Sequence, residues 1–227
     1  VIYDGNDKDA AEVIAAKAKE LGSPAYKVVQ GEAKVLGNNK DGIDFCLKDG
    51  YYGDTRFHIP FIAWYQVMNA SLALITMEVL KDKLPVGMEQ LQAGIKNTRW
   101  QGRMETILPG VIVDGAHNED GVRRFVETAE RFQEEYPLTL LFSAVNDKDY
   151  QDMIHTICSR IRFRKVVTTE VGGYREVPSA KLAEIFRKEG CREVGNSDNI
   201  EEAFHMACEA KREDGMLFCV GSLYLVG

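Results

Sequence analysis

Apolar and polar residues follow two different spacings in the first part of this chain. The run "VIY" at 1–3 has the composition of a strand, and residues 7–22 carry apolar side chains at helical spacing. A further strand is predicted for "YKVV" at 26–29. The segments "IDFCLKD" at 43–49 and "TRFHIPF" at 55–61 alternate apolar and polar residues around a glycine-containing turn, which predicts a β-hairpin.

Helical spacing returns after the hairpin and then stops. Helices are predicted from residue 66 to about 81 and from residue 86 to about 97. The stretch that follows, "NTRWQGRMETI", has no helical periodicity, and we expect a domain boundary within it. The resulting prediction is a first domain, a linker and a second domain at residues 1–98, 99–103 and 104–227.

Strands and helices alternate regularly beyond the linker. Because strands that alternate with helices of this length form βαβ units, we expect a parallel sheet covered by helices on both faces. The predicted fold class is therefore α/β, with a Rossmann-like three-layer α/β/α second domain. Strands are predicted at 110–114, 138–145, 164–170 and 216–222, and helices at 119–135, 150–160, 179–189 and 199–212.

The composition excludes several classes of protein. The formal net charge of −7 argues against a nucleic-acid binder, which would carry a basic face. No apolar run approaches the roughly 18 residues of a membrane-spanning helix, so no membrane partner is expected. The five cysteines are scattered, without a CxxC pair or a Cys/His cluster of metal-binding spacing. This pattern indicates free thiols in a reducing compartment, hence a cytoplasmic protein with no metal bound by such a cluster.

The sequence opens on a strand-like run without an initial methionine, and it stops within the apolar segment "GSLYLVG". We therefore expect it to be a fragment of a longer protein. Neither GxxxxGK[ST] nor GxGxxG occurs in it. If the protein uses ATP, the phosphate loop must come from outside this sequence.

Polar residues follow four of the predicted strands. In open α/β sheets ligands bind at the carboxyl ends of the strands, where helix N-termini favour phosphates and carboxylates. Together these segments favour a ligand site. They are "DGAHN" at 114–118, "SAVNDKDY" at 143–150, "TTEVGGYRE" at 168–176 and "VGS" at 220–222.

Each polar residue also has a purely local explanation. Asp114 could accept N–H bonds from the following turn, and Asn118 could cap a helix. His117 could be an ordinary turn histidine, and Arg103 could pair with Glu105. Likewise, Lys148 could be a solvated loop charge and Ser222 an ordinary strand hydroxyl.

Five segments occur in the order found in one enzyme family, and they are "YQVMNASLAL" (65–74), "WQGRME" (100–105), "VIVDGAHN" (111–118), "NDKD" (146–149) and "GSLYLVG" (221–227). With them the chain resembles bacterial folylpolyglutamate synthase/dihydrofolate synthase, one of the ATP-dependent amide ligases that include the Mur enzymes. The resemblance implies the end of a P-loop ATPase domain followed by a Rossmann-like glutamate-ligase domain. It also implies that ATP phosphorylates a pterin carboxylate and that glutamate attacks the acyl phosphate.

The resemblance implies roles for individual residues. Asn69 would contact the adenine, Arg103 the ATP phosphates and Asp114 the nucleotide through its ribose. His117 and Ser222 would hold the incoming glutamate, and His117 and Arg103 would be the catalytic pair. In the "NDKD" loop, Lys148 and Asp149 would line the cleft and bind substrate.

The resemblance further implies ATP and Mg²⁺ as cofactors, with the Mg²⁺ ligands mainly in the missing N-terminal part. The implied partners are ATP, L-glutamate and folate or dihydropteroate, bound by a monomer. The fragment alone is expected to be inactive. This chain has Ala63, Tyr65 and Gln101 where the family often has glycine, histidine and proline, which bears on the adenine side of the site.

Two alternatives stay open at this point. One is a Mur-type peptide ligase. The segment "GSLYLVG" argues against it, because this segment resembles the folate branch more closely than the Mur branch. The other is a non-catalytic nucleotide- or anion-binding module. A phosphate loop upstream of Val1 would favour a ligase over that module.

Overall fold

The computed structural model describes residues 1–39, 41–48, 51–173 and 175–226. It forms two compact units, Val1–Arg99 and Trp100–Gly227. The predicted α/β fold class is confirmed, since the larger sheet is mostly parallel and flanked by helices. No helix in the described part of the chain is both long and apolar enough to cross a membrane.

The first unit begins with a parallel strand pair joined by a helix. Strand β1 (Ile2–Asp4) pairs with β2 (Tyr26–Val28), and α1 (Lys8–Glu20) lies between them in sequence. Asp7 caps α1 by accepting a hydrogen bond from the Ala10 backbone N–H at 3.0 Å. These elements confirm the predictions for residues 1–29.

An antiparallel sheet follows a short 3₁₀ turn at Gln30–Glu32. Strands β3 (Ala33–Asn39), β4 (Gly42–Leu47) and β5 (Phe57–Ile59) lie in that order, and β4 pairs with β5 as the predicted hairpin. Part of the predicted hairpin segment, at 49–50, lies outside the described residues. Strand β3 was not predicted, because its "LGNN" half contains glycine and asparagine, which are depleted in strands.

Two helices complete the first unit, α2 (Tyr65–Val79) and α3 (Met88–Lys96). The buried face of α2 places Val67, Ala70 and Leu74 at helical spacing against the antiparallel sheet. Phe45 of β4 and Phe57 of β5 belong to the same core, and their ring centroids are 5.9 Å apart. This face provides the core of the first unit.

The second unit contains a six-stranded sheet. Its strand order is β10-β9-β8-β11-β7-β6, with every neighbouring pair parallel except β6 and β7. Two of its strands, β6 and β10, were not predicted. The edge strand β6 is largely exposed, and β10 reads "VGNS", so neither shows the apolar run of a buried strand. The strands are β6 (Glu105–Leu108), β7 (Val111–Asp114), β8 (Leu138–Phe142), β9 (Phe163–Thr169), β10 (Val194–Ser197) and β11 (Met216–Val220).

Helices cover the sheet as predicted. The α4 helix is shorter than the predicted 119–135, because tighter i→i+3 turns follow Ala129 and bring the buried Phe132 against the core. Asn118, Asp149 and Asn199 cap three helices through side-chain oxygens. The helices are α4 (Glu119–Ala129), α5 (Tyr150–Arg160), α6 (Ser179–Lys188), α7 (Ile200–Lys211) and α8 (Leu223–Val226).

The central strands of this sheet are buried on both faces. On one face, Val113, Leu141 and Val167 pack against the small residues Ala203 and Ala207 of α7. Aromatic pairs fix helices that flank the sheet: Phe125 meets Phe218 edge-on, and Phe142 meets Phe186, with centroids 5.5 and 5.3 Å apart. The sheet therefore provides a rigid base for the loops that leave it.

We predict that Gly221→Ala destabilises the chain by about 3–5 kcal/mol. Gly221 has a φ of 112°, and a Cβ there would overlap the carbonyl oxygen of Ser143 on the neighbouring strand end. Urea unfolding followed by circular dichroism measures the loss. Gly172→Ala is the matched control: its φ is 79° but a Cβ would meet nothing within 4 Å, so its loss should stay near ~1 kcal/mol. Equal losses would contradict the steric argument.

Candidate functional site

All four predicted polar segments begin at one edge of the sheet in the second unit. Phe142, at the end of β8, lies opposite Thr168 near the end of β9. In the register of the parallel strands, Val220 lies opposite both Asp114 and Phe142. The residues that follow these strands therefore leave the sheet side by side. We call this boundary, where the parallel strands end, the carboxyl edge.

Asp114 joins two backbone segments at the carboxyl edge. Its Oδ2 accepts the Met104 N–H and its Oδ1 accepts the Ala116 N–H, each at 2.9 Å. A third bond runs beside them from the Gly115 N–H to the Gly102 oxygen, at 2.7 Å. The local explanation that Asp114 accepts N–H bonds from the following turn is therefore confirmed, and the carboxylate also holds the 102–104 turn.

Tight packing accompanies these bonds. A Cβ at Gly115 would lie 2.5 Å from the Leu223 Cδ2 atom and 3.3 Å from the Gly102 oxygen. Gly102 and Met104 both have positive φ, 64° and 47°, a conformation that costs a non-glycine residue about 1 kcal/mol or more. The Asp114 bonds stabilise this strained turn.

Burial raises the pKa of Asp114 to about 6, against the lowering effect of the two backbone N–H groups and of the Arg103 charge. Asp114 is only 5% exposed, which explains why burial dominates. The positive charge of the half-buried Arg103 thus lies close enough to Asp114 to affect it. Among the described residues no ion pair joins Arg103 to Glu105, whose carboxylate instead accepts the Gly102 N–H at 3.0 Å.

His117 is oriented by the loop in which it lies. Its Nδ1 is 2.8 Å from the Gly115 oxygen. Because a carbonyl only accepts hydrogen bonds, Nδ1 carries a proton, and Nε2 is the atom that accepts when the ring carries one proton. The next residue, Asn118, accepts the Gly121 N–H at 2.9 Å and so caps α4, which confirms its predicted capping role.

Ser222 follows β11 at the same edge. It is 1% exposed, and its Oγ accepts the Tyr224 N–H at 3.2 Å, which leaves the hydroxyl proton able to donate. Ser143, at the end of the neighbouring β8, is also fully buried, and its Oγ has no hydrogen-bond partner within the described part of the chain.

The 146–149 loop connects to residues that the sequence analysis did not single out. Asp147 pairs with Arg175 at 3.1 Å, and Arg175 also donates to the Tyr224 hydroxyl at 2.8 Å. Lys148 is half-buried, whereas the exposed Asp149 caps α5 by accepting the Asp152 N–H. The available signal was that Arg175 lies in the polar segment 168–176 and Tyr224 in the motif "GSLYLVG".

A second, partly buried network, also missed, holds the start of α6. The Ser179 Oγ donates to Asp198 and accepts from the Asn196 side chain, and its backbone N–H donates to Glu170. The Thr168 hydroxyl donates to the Ser179 oxygen at 2.8 Å. Every member has its partner inside the network, which gives it a structural role.

Asn69 lies in the first unit, on the exposed side of α2. Its Nδ2 donates to Gln66 Oε1 at 2.8 Å, one turn earlier in the helix. The remaining predicted site residues all belong to the second unit, and Arg103, Asp114, His117 and Ser222 lie at the carboxyl edge or in turns bonded to it. Within the described ranges, no group of three or more His, Cys, Asp or Glu is placed to hold a metal ion.

The family model for the Mur ligase, glutamate ligase domain matches residues 102–223. The chain belongs to this family. That span contains the 102–104 turn, the Asp114 loop and Ser222, and the resemblance predicted from the sequence is confirmed.

Curated relatives of this family member are folate enzymes. The present chain is 28% identical, over 96% of its length, to a dihydrofolate synthase/folylpolyglutamate synthase of Bacillus subtilis, and it covers 51% of that protein. It is 23% identical over its whole length to a probable dihydrofolate synthetase of Schizosaccharomyces pombe, covering 55% of it. The chain thus spans about half the length of these relatives.

Solved structures share the fold. A folylpolyglutamate synthase from Thermotoga maritima aligns with a TM-score of 0.76 at 24% identity, over 97% of this chain and 51% of that one. The Mycobacterium tuberculosis folylpolyglutamate synthase complexed with ADP and AMPPCP aligns with a TM-score of 0.71 at 23% identity, with the same coverage.

We predict that the stability difference between the wild-type chain and Asp114→Asn depends on pH. The folded-state pKa of Asp114 is raised from 3.8 to about 6, so folding favours the protonated acid. The stabilisation from this preference is complete below about pH 4 and is lost as the pH rises to about 6, by about 3 kcal/mol. Urea unfolding at several pH values between 4 and 7 measures it.

Asp120→Asn is the control for this titration. Hydrogen bonds from Arg123 and Arg124 lower the pKa of Asp120. Its contribution is therefore present above its ordinary pKa and lost only at lower pH, so the control difference stays flat from pH 4 to 7. A flat or rising wild-type advantage over Asp114→Asn in that range would overturn the assignment.

Proposed function

We propose that this chain is part of an ATP-dependent ligase that joins L-glutamate to a folate or dihydropteroate carboxylate through an acyl phosphate. The observation that carries the proposal is the glutamate-ligase match over residues 102–223, in which Arg103, Asp114, His117 and Ser222 come from the segments at the carboxyl edge. The names of the curated relatives support the folate substrate class.

Arg103 is the group we assign to the nucleotide phosphates. A guanidinium is permanently charged, and its planar donors match phosphate oxygens, so it can stabilise the charge of a transferring phosphoryl group. ATP, when bound, supplies the phosphoryl group that activates the carboxylate. Asp114 already uses both oxygens for backbone N–H groups. In this proposal it acts mainly by fixing the turn that carries Arg103, with its remaining lone pairs available to a ribose hydroxyl.

His117, Ser222 and Lys148 are the groups we assign to glutamate. The Nε2 atom of neutral His117 can accept a hydrogen bond from the glutamate amine and so orient it for attack. The Ser222 hydroxyl can donate to a glutamate carboxylate, and the Lys148 ammonium attracts one. Asp149 contributes by starting α5 beside them.

Two further assignments concern the nucleotide and its cation. Asn69 is exposed on α2, where its amide is suited to a donor–acceptor contact with adenine. A Yersinia pestis synthase has been solved with AMPPNP and a Mn ion, and we propose a divalent cation, Mg²⁺, here too. The described residues do not form a three-ligand cluster for it, so its ligands are assigned elsewhere in the protein. We further propose a cytoplasmic monomer.

Glutamate-dependent ADP release by the complete protein that contains this chain tests the function. The acceptors are dihydropteroate, tetrahydrofolate and a UDP-muramyl substrate, with this chain alone as the negative control. Turnover with either pterin establishes the folate ligase and identifies the step. Turnover with the muramyl acceptor alone would identify a Mur-type peptide ligase. No turnover with any acceptor would leave a nucleotide- or anion-binding module.

Arg103→Ala in the complete protein should lower kcat about 10²–10³-fold, because it removes a charged donor from the developing phosphoryl charge. Arg103→Lys should restore part of the rate, since the charge returns without the planar fork. Arg123→Ala is the control, because Arg123 is exposed and pairs only at the surface of α4 with Asp120. Equal rates for Arg103→Ala and Arg123→Ala would exclude a phosphate role.

His117→Ala should raise the KM for glutamate roughly 10- to 100-fold, because a hydrogen bond to a charged group contributes about 1.5–3 kcal/mol. The KM for ATP should change little. His155→Ala is the histidine control, since this exposed side chain pairs with Glu189. If His117→Ala changed the KM for ATP and not that for glutamate, the ring would belong to the nucleotide side of the site.

A further inference from the structure

Two of the five cysteines are in contact at the end of the second unit opposite to the candidate site. The sulfur atoms of Cys158 and Cys191 are 3.6 Å apart, although the residues are 33 positions apart in sequence. Cys158 lies in the last turn of α5, and Cys191 follows the end of α6. Because helices in a βαβ unit run opposite to the strands, both helix ends face the amino ends of the strands.

The backbone at Cys191 is held in place by a helix-ending motif. The Cys191 N–H donates to the Phe186 oxygen at 3.0 Å, and the Gly190 N–H donates to the Arg187 oxygen at 3.1 Å. Gly190 has a φ of 92°, so this is a Schellman motif with glycine in its left-handed position. The buried Phe186 anchors the motif to the core, which keeps Cys191 beside α5.

A second contact joins the same two helix ends. His155, one turn before Cys158, lies 3.0 Å from Glu189, which ends α6. The proximity of the thiols therefore follows from the packing of α5 on α6 and not from a single side-chain rotamer.

We propose that Cys158 and Cys191 form a dithiol site that is oxidised to an intramolecular disulfide by low-molecular-weight disulfides such as glutathione disulfide. A disulfide needs a sulfur separation of about 2 Å, so the two atoms must approach by roughly 1.5 Å, which side-chain rotation can provide. Both side chains are only partly buried, which leaves the pair open to a small oxidant.

The reaction balances in two exchange steps. The Cys191 thiolate attacks one sulfur of glutathione disulfide, forming a mixed disulfide and releasing one glutathione. The Cys158 thiolate then attacks the Cys191 sulfur and releases the second glutathione. The two protein thiols lose two electrons and two protons, which end on the two glutathione thiols.

We assign the order of attack with the Cys158 thiol as the donor in the hydrogen bond between the sulfurs. Donation from the Cys158 thiol lowers the pKa of Cys191, although burial and Glu189 oppose this. The same bond, together with burial, raises the pKa of Cys158. Cys191 is therefore the attacking group and Cys158 the resolving group.

Oxidation of the full chain with glutathione disulfide, followed by alkylation and intact mass measurement, tests the site. The wild type should lose two hydrogen atoms, and peptide mapping should link Cys158 to Cys191. Cys158→Ser should instead accumulate a stable glutathione adduct on Cys191, because the resolving thiol is absent. Cys208→Ser, the matched control, should form the same cross-link as the wild type.

The cross-link should also raise the Tm by roughly 5–10 °C, because it closes a long loop in the unfolded chain. Cys191→Ser should show no oxidant-dependent change in Tm, and it provides the comparison if Cys158→Ser does not fold. The proposal is overturned if the wild type takes up glutathione without losing hydrogen, if it stays reduced, or if the linked peptides contain another cysteine. This site does not depend on the proposed ligase function.

Discussion

The second unit depends on one buried carboxylate at the point where its sheet gives way to loops. Asp114 accepts hydrogen bonds from Met104 on one side and from Ala116 on the other. An apolar residue of similar size would leave both N–H groups buried without partners, which costs more than the bonds contribute. The same residue therefore sets the positions of Arg103, in the turn before β6, and of His117, in the loop after β7. Burial raises its pKa, because removing the carboxylate from water disfavours its charged form.

Much of this arrangement could be predicted from the sequence because the parallel strands carry unbroken apolar runs. Once β7, β8 and β11 are known to be parallel, the strand-end rule brings Asp114, Ser143 and Ser222 to one edge. The sequence could not reveal β6, because an exposed edge strand has no apolar pattern to recognise. Arg175 and Tyr224 were missed for a different reason. Their hydrogen bond joins positions 49 apart, and nothing local to either segment encodes it.

The two ends of the helical layer differ in how they are held together. At the carboxyl edge, side chains bond to backbone groups, as Asn118 does for α4, and Arg175 also joins Asp147 to Tyr224. At the opposite end, side chains meet side chains between neighbouring helices, through Cys158 with Cys191 and His155 with Glu189. The amide cap of Asn118 has no group that glutathione disulfide oxidises, whereas the thiol pair changes its covalent state. A change at that end can therefore leave the candidate site geometrically intact.

The loop between β7 and α4 has consequences for how the family can vary in length. It contains only residues 115–118, and each of the four makes a contact that fixes its position. Gly115 packs closely against Leu223, and the Ala116 N–H donates to Asp114. The His117 ring bonds to the Gly115 oxygen, and Asn118 caps α4. An inserted residue would displace several of these contacts at once, because the loop has no unconstrained residue at which the backbone could rearrange. Insertions and deletions among relatives should thus be confined to longer connections such as the one between β9 and α6, while this loop keeps a constant length.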